Sequence, residues 1–461
     1  MKSHDVRVWE IRKRPTKKVS YEVRWKVAGN PFSETFRTKA LADGRRAKLL
    51  TAAKSGEPFD TESGVPDSLA ERVVAPPSMS WFAFASAYLA MKWPDAAPNS
   101  RDSTNEALTE ATMVLCEERP DRPEDAVLRC ALRGWAFVVR DGEASQPSAE
   151  IANALHWVEK ASMPLATLRD PATARRVLDR IRRKLDGSPA GAETTRRKKR
   201  VLTNAVKYAV ELGELEEDPF AAVQWTAPKV TETVGPEVVV NPRQARELLA
   251  AVSYVGGYKR ARGRRQVAFF ATIYYGGLRP AEAVGLRRAD CTLPDEGWGL
   301  LVLRKTRPTV GTRWTGTGEV HDRRGLKNRA VEETRRVPIP PGLVQILRAH
   351  LAEFGTAKDG RVFRNERGGV LGSTAYWRVW DEARSLALTP EQVESPMAKR
   401  PYDLRHAALS TWLNAGVDPT EVAERAGNSV EVLLSRYAKC LDGRQHVANR
   451  RIQSLLDGDD A

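Results

Sequence analysis

The sequence predicts a multidomain protein: a small β-rich N-terminal module, an all-α second domain, and a mixed α+β, mainly helical C-terminal domain. Three observations support this fold class. Residues 6–39 alternate apolar and charged side chains, as half-buried strands do. Residues 78–225 consist of helix-like segments, and residues 241–461 mix helices with two strand-like segments. The length of 461 residues fits two to four domains.

The composition favours a polyanionic partner. Lys and Arg number 74 against 59 Asp and Glu, which gives a net charge of +15. Nucleic acid fits this excess better than an anionic membrane, although a soluble protein that happens to be basic also accounts for it. The sequence has no apolar run of membrane-spanning length and no signal-peptide core at its start, so a cytoplasmic protein without a membrane partner is expected. The cysteines are scattered, so we expect neither a metal site nor disulfides; they are Cys116, Cys130, Cys291 and Cys440.

The N-terminal module covers residues 1–60. The segments VRVWEIRKR, SYEVRWKVAG and PFSETFRTK predict three strands, and KALADGRRAKLLTAAKSG predicts a helix. Basic side chains such as Arg12 and Arg24 alternate with aromatic ones along the strands. Such a sheet could lie in a DNA groove, or it could be a solvated face over an aromatic core.

The second domain covers residues 78–225, between linkers predicted at 61–77 and at about 226–242. A helix is predicted at WFAFASAYLAMKW, and a second helix, LRCALRGWAFVVR, follows after a polar loop. A third is predicted at RDPATARRVLDRIRRKL, where Asp170 is the N-cap and Pro171 the first helical residue. A last helix is predicted at AETTRRKKRVLTNAVKYAVELGEL.

The last two of these helices carry dense positive charge. Consecutive cations at a helix start oppose the helix dipole unless phosphates lie nearby. DNA contact is therefore favoured over a merely solvated face. The predicted DNA-contacting residues are Arg175, Arg176, Arg180, Arg182, Arg183, Arg196, Arg197, Lys198, Lys199 and Arg200, together with Arg12 and Arg24 of the first module.

The C-terminal domain covers residues 241–461. It opens with the capped helix NPRQARELLAAV and contains strand-like GWGLLVLRK and TRRVPIP. Two arginines stand at predicted helix starts: Arg279 in YYGGLRPAEAVGL and Arg405 in RPYDLRHAALSTWLNAG. Arginine suits phosphoryl transfer because its planar, permanently charged group binds phosphate oxygens in pairs.

Tyr437 lies in LLSRYAKC and has two interpretations. With Val430, Leu433, Leu434 and Leu441 it forms one apolar helix stripe, on which a tyrosine is usually a core residue. A hydroxyl held near the two arginines would instead be a nucleophile.

The segments GGLRPAEAVGL, PYDLRHAALSTWLNAGVDPTEVAERAGNS and LLSRYAKC, in this order, resemble the catalytic signature of tyrosine recombinases of the phage-integrase type, such as those of actinobacterial phages and integrative elements. The resemblance covers about residues 241–450. The helical block is similar to the family's core-site DNA-binding domain, and the N-terminal module more loosely resembles its arm-type DNA-binding module.

This resemblance implies a role for each matching residue. Arg279 and Arg405 would clamp the scissile phosphate, Glu282 would support them, and Tyr437 would attack to give a 3′-phosphotyrosyl link. His406 matches the family's LRH string, although a half-buried helix histidine is the alternative. The family's hairpin lysine, which protonates the leaving oxygen, corresponds to Lys327, with Lys305 as the second candidate.

The sequence departs from the family pattern at two positions. Tyr402 stands where the family usually has histidine, and Asn428 stands where it usually has histidine or tryptophan. Neither exchanges protons readily near neutral pH, but both can hydrogen-bond a phosphate oxygen or a neighbour. One hypothesis is that they keep a positioning role while Lys327 carries more of the proton transfer. The other is a protein that binds DNA and cuts slowly or not at all.

The resemblance implies a site-specific recombinase that integrates or excises a mobile element without a cofactor or metal. Its partners would be double-stranded DNA attachment sites, further copies in a homotetramer, and an excisionase or host DNA-bending factor. The C-terminal segment GRQHVANRRIQSLLDG is predicted to dock on a neighbouring subunit through Val447, Ile452, Leu455 and Leu456. The alternatives are a strand-nicking enzyme related to type IB topoisomerases and a DNA-binding regulator on an inactive recombinase scaffold.

Overall fold

The structure is a computed structural model. It describes residues 2–14, 19–69, 79–140, 146–184, 186–229, 233–257, 261–326, 333–440 and 444–457. The chain divides into two compact units, Met1–Ser78 and Met79–Ala461.

The N-terminal unit is a small antiparallel sheet with one long helix. The strands predicted at SYEVRWKVAG and PFSETFRTK and the helix are present, but VRVWEIRKR forms two short strands instead of one; two further short strands pair with each other. The elements are β1 (Lys2–Ser3), β2 (Val6–Val8), β3 (Arg12–Arg14), β4 (Ser20–Val27), β5 (Asn30–Phe36), α1 (Lys39–Lys54) and β6 (Phe59–Asp60). Strands β2 and β3 pair with one end each of β4, which pairs with β5 on its other side. The buried core contains Val23, Trp25, Val27 and Leu49, so alternate β4 side chains point inward.

The first part of the second unit is helical. Its elements are α2 (Trp81–Lys92), α3 (Pro98–Val114), α4 (Asp125–Ala131), α5 (Ala149–Ala161), α6 (Pro171–Arg180) and α7 (Ala192–Glu211), with a π-helical turn at Leu132–Ala136. The predicted cap of α6 is confirmed: the Asp170 carboxylate accepts hydrogen bonds from the backbone N–H groups of Ala172 and Thr173.

The polar loop predicted before LRCALRGWAFVVR was wrong in part, because it contains the seventeen-residue helix α3. Helix α3 buries polar side chains that hide its pattern. Asn105 donates to the carbonyls of Arg133 and Phe137, and the Thr112 hydroxyl bonds the carbonyl of Leu108. Buried polar groups that are hydrogen-bonded in this way are tolerated in a core.

The second part of this unit is a mainly helical fold around one small sheet. Its elements are α8 (Pro242–Val252), α9 (Ala261–Gly276), α10 (Pro280–Gly285), β7 (Cys291–Thr292), β8 (Gly299–Leu303), β9 (Arg335–Ile339), α11 (Pro341–Phe354), α12 (Ser373–Ala387), α13 (Pro390–Glu394), α14 (Asp403–Asn414), α15 (Pro419–Ala426), α16 (Val430–Tyr437) and α17 (Arg444–Asp457). The sheet order is β7-β8-β9, all antiparallel. Both predicted strands are present. None of the described helices is long and apolar enough to span a lipid bilayer.

The chain between β8 and β9 contacts the helical part. Trp314, which lies in this connection, packs into the helical core with its ring 6.3 Å from that of Trp93. Arg101 donates a 2.9 Å hydrogen bond to the Trp314 carbonyl and stacks on Trp93. The β8–β9 connection is thereby held against α3.

The later residues of the segment predicted as a linker at about 226–242 contact the C-terminal part. The Val234 backbone N–H donates to the carbonyl of Arg436 at 2.7 Å, next to Tyr437. The Cys440 thiol donates to the Val234 carbonyl at 3.3 Å. Val234 therefore lies against the end of α16, and the Val238 carbonyl accepts a hydrogen bond from the Ala398 backbone N–H, so these residues do not form a solvated connection.

Candidate active site

Arg279 is the N-cap residue of α10, and its side chain is one-fifth exposed. Pro280 fixes the first helical position, which is where proline is tolerated. The Arg279 guanidinium donates to the Glu282 carboxylate at 2.8 Å and to the Gly427 carbonyl at 2.9 Å. These bonds tie the partly exposed arginine to its own helix and to the turn after α15.

Glu282 lies beneath Arg279 and is almost completely buried. Its carboxylate receives two bonds from Arg335, at 2.9 and 2.7 Å, and one from the Arg279 backbone N–H at 2.8 Å. Burial by itself would raise the pKa of Glu282, but the charges of Arg335, Arg279 and Arg405 outweigh it and bring the pKa to about 2. Glu282 is therefore a carboxylate at any physiological pH.

Arg405 lies in the first turn of α14 and is 1% exposed. Its guanidinium donates to the carbonyls of Gly277 and Ala426. The Ala426 carbonyl is at the C-terminal end of α15, where the partial negative charge of the helix dipole stabilises a cation. The short loop before α10 and the end of α15 thus fix this second arginine.

Asn428 joins the two arginines. Its side-chain Oδ1 accepts a hydrogen bond from Arg279 Nη2 at 3.0 Å and from Arg405 Nη2 at 3.2 Å. Gly427, immediately before it, adopts φ +65 and ends α15 in the left-handed conformation. This turn brings the Gly427 carbonyl and the Asn428 amide to the same side, so both guanidinium groups converge at one point.

Tyr437 ends α16 and is 1% exposed within a core cluster that includes Leu409 and Leu433. Its hydroxyl lies 2.7 Å from Nδ1 of His406. Burial raises the pKa of Tyr437 above its ordinary value, which keeps the hydroxyl protonated. The apolar stripe is only partly as predicted, since Leu434 is exposed.

His406 is buried between two tyrosines. Its ring packs edge-on against Tyr402, with centroids 5.0 Å apart, and at 5.6 Å from the ring of Tyr437. Burial lowers the pKa of His406 to about 3, and the nearby charges of Arg436, Arg400 and Arg405 act in the same direction. The imidazole is therefore neutral and has one nitrogen available to accept a proton.

Tyr402 precedes α14 and is half-buried. It interacts with the Arg279 side chain, and together with Glu282 it raises the pKa of that guanidinium against the opposing effect of burial. Tyr402 thus lies between the arginine pair and His406.

The lysine candidates occupy the β8–β9 connection. Lys327 lies outside the described residues. Lys305 follows β8 directly and is exposed. Among the residues described here, no group of three or more His, Cys, Asp or Glu side chains could hold a metal ion.

The predicted DNA-contacting residues of the helical part divide into two sets. One set is exposed on α6, α7 and the turn after α6; it comprises Arg175, Arg176, Arg182, Arg183, Arg196, Arg197 and Arg200. Lys199 is half-buried, with its ammonium 4.3 Å from the centre of the Trp225 ring. The exposed set leaves cationic groups at the surface where a phosphate backbone could reach them.

Two predicted contact residues are placed differently. The side chain of Lys198 is only 5% exposed, with its ammonium 3.1 Å from Glu106, and Arg180 pairs with the buried Glu110 at 2.6 Å. Their charges pair with the partly buried Glu106 and the buried Glu110 of α3, so neither side chain is fully displayed at the surface. These two ion pairs could not be predicted from the sequence, because helix α3, which carries Glu106 and Glu110, was not predicted.

In the N-terminal unit, Arg12 is exposed on β3. Arg24 is half-buried on β4, and its guanidinium lies 5.9 Å from the centre of the Trp9 ring. Of these two predicted contact residues, Arg12 is therefore the exposed one.

Arg335, the first residue of β9, was not predicted as part of this site. It is 2% exposed, and its bidentate pair with Glu282 places it directly behind Arg279. The sequence signal was an arginine within the strand-like segment TRRVPIP, because an arginine that faces the interior needs a buried anion.

Two curated proteins show sequence similarity to this chain. Tyrosine recombinase XerC of Bradyrhizobium diazoefficiens is 25% identical over 167 residues, 36% of this chain and 42% of that protein. Tyrosine recombinase XerC of Nitrobacter winogradskyi is 24% identical over 278 residues, 59% of this chain and 74% of that protein. Over these segments the chain is similar in sequence to tyrosine recombinases. It spans about two fifths of the length of the first relative, and no family model matches it.

Solved structures of tyrosine recombinases and integrases are also similar to this chain. The Tn1549 transposon integrase in complex with a circular intermediate DNA has 16% identity and a TM-score of 0.47, over 68% of this chain and 94% of that one. XerH bound to difH has 13% identity and a TM-score of 0.46, over 83% and 96%. Lambda integrase (residues 75–356) bound to DNA has 12% identity and a TM-score of 0.39, over 63% and 90%.

Proposed function

We propose that this protein is a site-specific DNA recombinase that cleaves and rejoins DNA through a 3′-phosphotyrosyl intermediate and so integrates or excises a mobile element. One observation carries the proposal. Arg279 and Arg405 converge on Asn428 Oδ1, at 3.0 and 3.2 Å. Two guanidinium groups fixed at one point form a site for the oxygens of a single phosphate.

The scissile phosphate would bind where the two guanidinium groups meet. Arg279 is the accessible member, and Arg405 supplies a second, buried charge. As Tyr437 Oη attacks phosphorus, charge develops on the nonbridging oxygens, and preorganised cations stabilise it. The new bond joins Tyr437 Oη to phosphorus, and the bond from phosphorus to the 5′ oxygen breaks.

His406 is placed to take the proton of the attacking hydroxyl. With its own proton on Nε2, the imidazole accepts the Tyr437 O–H at Nδ1, 2.7 Å away. The leaving 5′ oxygen takes a proton from a lysine, for which Lys327 and Lys305 remain the candidates. In this conformation burial leaves the imidazole a weak base with a pKa of about 3, so His406 takes the proton once the negative charge of the bound phosphate raises that pKa.

Cleavage requires Tyr437 to reach the phosphate. The hydroxyl is buried in this conformation, and the chain around Val234 holds the end of α16. We expect α16 to shift when the recombinase binds DNA, which would link cleavage to assembly on the correct site.

The proposed partners are double-stranded attachment sites and further copies of the chain in a tetramer, with an excisionase or a host DNA-bending factor as an accessory protein. Ile452 and Leu456 on α17 are 55% and 77% exposed and would dock on a neighbouring subunit. Deleting residues from 444 onward should weaken synapsis more than DNA binding. Equal loss of both would contradict this docking role.

The decisive experiment uses DNA that flanks the protein's own gene, where integrative elements often retain their site. Nicked, labelled fragments are incubated with the full chain and with Tyr437→Phe, and denaturing gels are examined for a covalent adduct. We expect an adduct with the native chain and none with Tyr437→Phe, while both bind the fragment equally. An adduct that persists in Tyr437→Phe would refute the assigned nucleophile.

This experiment, together with a plasmid-relaxation assay, separates the alternatives. Tight, salt-sensitive binding without an adduct would favour a DNA-binding regulator on an inactive scaffold. Relaxation of supercoiled plasmids that lack the site would favour a strand-nicking enzyme similar to type IB topoisomerases.

A further inference from the structure

We propose that Arg335 is a positioning residue of the phosphate site: it neutralises Glu282, so that Arg279 and Arg405 keep their positive charge for the phosphate. The inference deepens the proposed function, because it concerns the same two arginines. It rests on the contacts of one buried carboxylate.

The Glu282 carboxylate is shared between two arginines. Oε1 accepts from Arg335 Nη1 at 2.9 Å and from Arg279 Nη1 at 2.8 Å. Oε2 accepts from Arg335 Nη2 at 2.7 Å and from the Arg279 backbone N–H at 2.8 Å. Arg335 therefore contributes the bidentate pair, and Arg279 binds the carboxylate with a single guanidinium nitrogen.

This division leaves Nη2 of Arg279 free of the carboxylate. Its Nη2 points to the Gly427 carbonyl and Asn428 Oδ1, the same point at which Arg405 arrives. Without Arg335, the buried carboxylate would have Arg279 as its only directly bonded cation. Glu282 would then compete with the phosphate for Arg279.

The charge balance gives the same result. Three arginines, Arg279, Arg335 and Arg405, face one carboxylate, so the site carries a net charge of two positive units. Loss of Arg335 would reduce this to one. A phosphodiester gains negative charge on its nonbridging oxygens as it is attacked. The lost positive charge therefore destabilises the transition state more than the bound substrate.

The turn at Gly427 packs closely against the Arg335 side chain. A side-chain carbon added at Gly427 would lie 2.5 Å from Arg335 Nη1. The turn that supplies carbonyl acceptors to Arg279 and Arg405 is thus also the wall of the Arg335 pocket. Arg335 touches neither substrate nor nucleophile and acts through Glu282 and Arg279.

The test uses inorganic sulfate, a tetrahedral dianion from pH 5 to pH 8, and the full chain without DNA. Sulfate affinity is measured from the rise in melting temperature with sulfate concentration. The variants are Arg335→Met, Arg335→Lys and the double variant Arg335→Met with Glu282→Gln. The shift that remains in Arg279→Met gives the contribution of sulfate bound elsewhere.

We expect Arg335→Met to bind sulfate about tenfold more weakly, a change equivalent to about one unit of log Kd. The double variant should recover to within about threefold of the native chain, because removing both charges restores the net balance. Arg335→Lys should lie between, since lysine keeps the charge without the bidentate geometry. The Arg335→Lys variant also allows the test to be made if Arg335→Met does not fold.

The pH dependence gives a second readout. The charged groups that face Glu282 are Arg279 from the start of α10, Arg335 from β9 and Arg405 from α14. In Arg335→Met the carboxylate should take up a proton more easily, so sulfate affinity should recover as the pH falls from 8 to 5. The double variant, which has no carboxylate, should show no such recovery.

A purely structural role for Arg335 predicts a lower melting temperature with unchanged sulfate affinity, and that result would overturn the proposal. So would a double variant that binds sulfate as weakly as Arg335→Met. Because the assay involves no DNA cleavage, its outcome is independent of the adduct experiment. If the native chain forms the adduct and Arg335→Met binds sulfate with native affinity, the proposed recombinase function stands and the proposed role of Arg335 is rejected.

Discussion

The Tyr437 hydroxyl and Nδ1 of His406 form a 2.7 Å hydrogen bond inside an apolar cluster of the C-terminal part. The contact joins α14, which carries Arg405, to α16, which carries the tyrosine. A buried hydroxyl needs such a partner, so the bond explains how a core tyrosine can also be a reactive one.

The first prediction concerns this histidine and pH. Because the pKa of His406 is about 3 in the folded chain against an ordinary value of 6.5, the unfolded chain binds the proton more readily between these values. Stability contributed by the neutral imidazole is therefore lost as the pH falls below 6.5. Urea unfolding at pH 7 and pH 5.5 should show that the native chain loses about 1 kcal/mol more than His406→Gln.

Glu282 does not interfere in this range. Its pKa is about 2 in the folded chain against 4.5 otherwise, so its contribution is lost only as the pH falls below 4.5. Equal losses for the native chain and His406→Gln between pH 7 and pH 5.5 would mean that His406 is not held neutral by burial.

The second prediction concerns the amide that joins the arginines. Asn428→Asp places a negative charge between Arg279 and Arg405, and hydrogen bonds to charged groups contribute about 1.5–3 kcal/mol. We expect higher stability but adduct formation at least about tenfold slower, because the aspartate takes the place of the phosphate.

Asn428→Ala is the matched control. It removes the shared acceptor without adding charge, so stability should fall by about 1 kcal/mol while adduct formation also slows. The two variants thus move stability in opposite directions. An Asn428→Asp chain that cleaves as fast as the native protein would mean that the phosphate does not bind at this point.

The third prediction concerns the turn after α15. Gly427 has φ +65, and an added Cβ would lie 2.5 Å from Arg335 Nη1. Gly213 has φ +76 with nothing within 4 Å, so Gly213→Ala measures backbone strain alone, about 1 kcal/mol. Denaturant unfolding should show a larger loss for Gly427→Ala, and only Gly427→Ala should slow adduct formation.

The fourth prediction separates surface cations from buried ones. Arg200 is exposed on α7, whereas Lys198 is buried against Glu106. Arg200→Gln should reduce the slope of log affinity against log salt by about 0.9 and leave stability unchanged. Lys198→Met should lower stability by about 1 kcal/mol and leave the slope unchanged. The reverse pattern in DNA-binding titrations would show that Lys198 reaches the phosphates when DNA is bound.

Local features of this protein could be predicted from its sequence. The strands β4 and β5, the cap of α6 by Asp170, and Pro280 at the first position of α10 depend on side chains within a few residues of one another. Hydrophobic periodicity and capping act over such short distances. The order and spacing of Arg279, Arg405 and Tyr437 also indicated the family without any coordinates.

The tertiary structure alone decided which of these side chains meet. Arg335 and Glu282 are 53 residues apart, Arg279 and Asn428 are 149 apart, and Tyr437 and His406 are 31 apart. Such contacts depend on how whole helices and strands pack, and a buried charge takes whichever partner the packing brings to it. For the same reason Lys198 does not lie on the predicted DNA-contacting surface: it pairs with Glu106 on helix α3, which was not predicted.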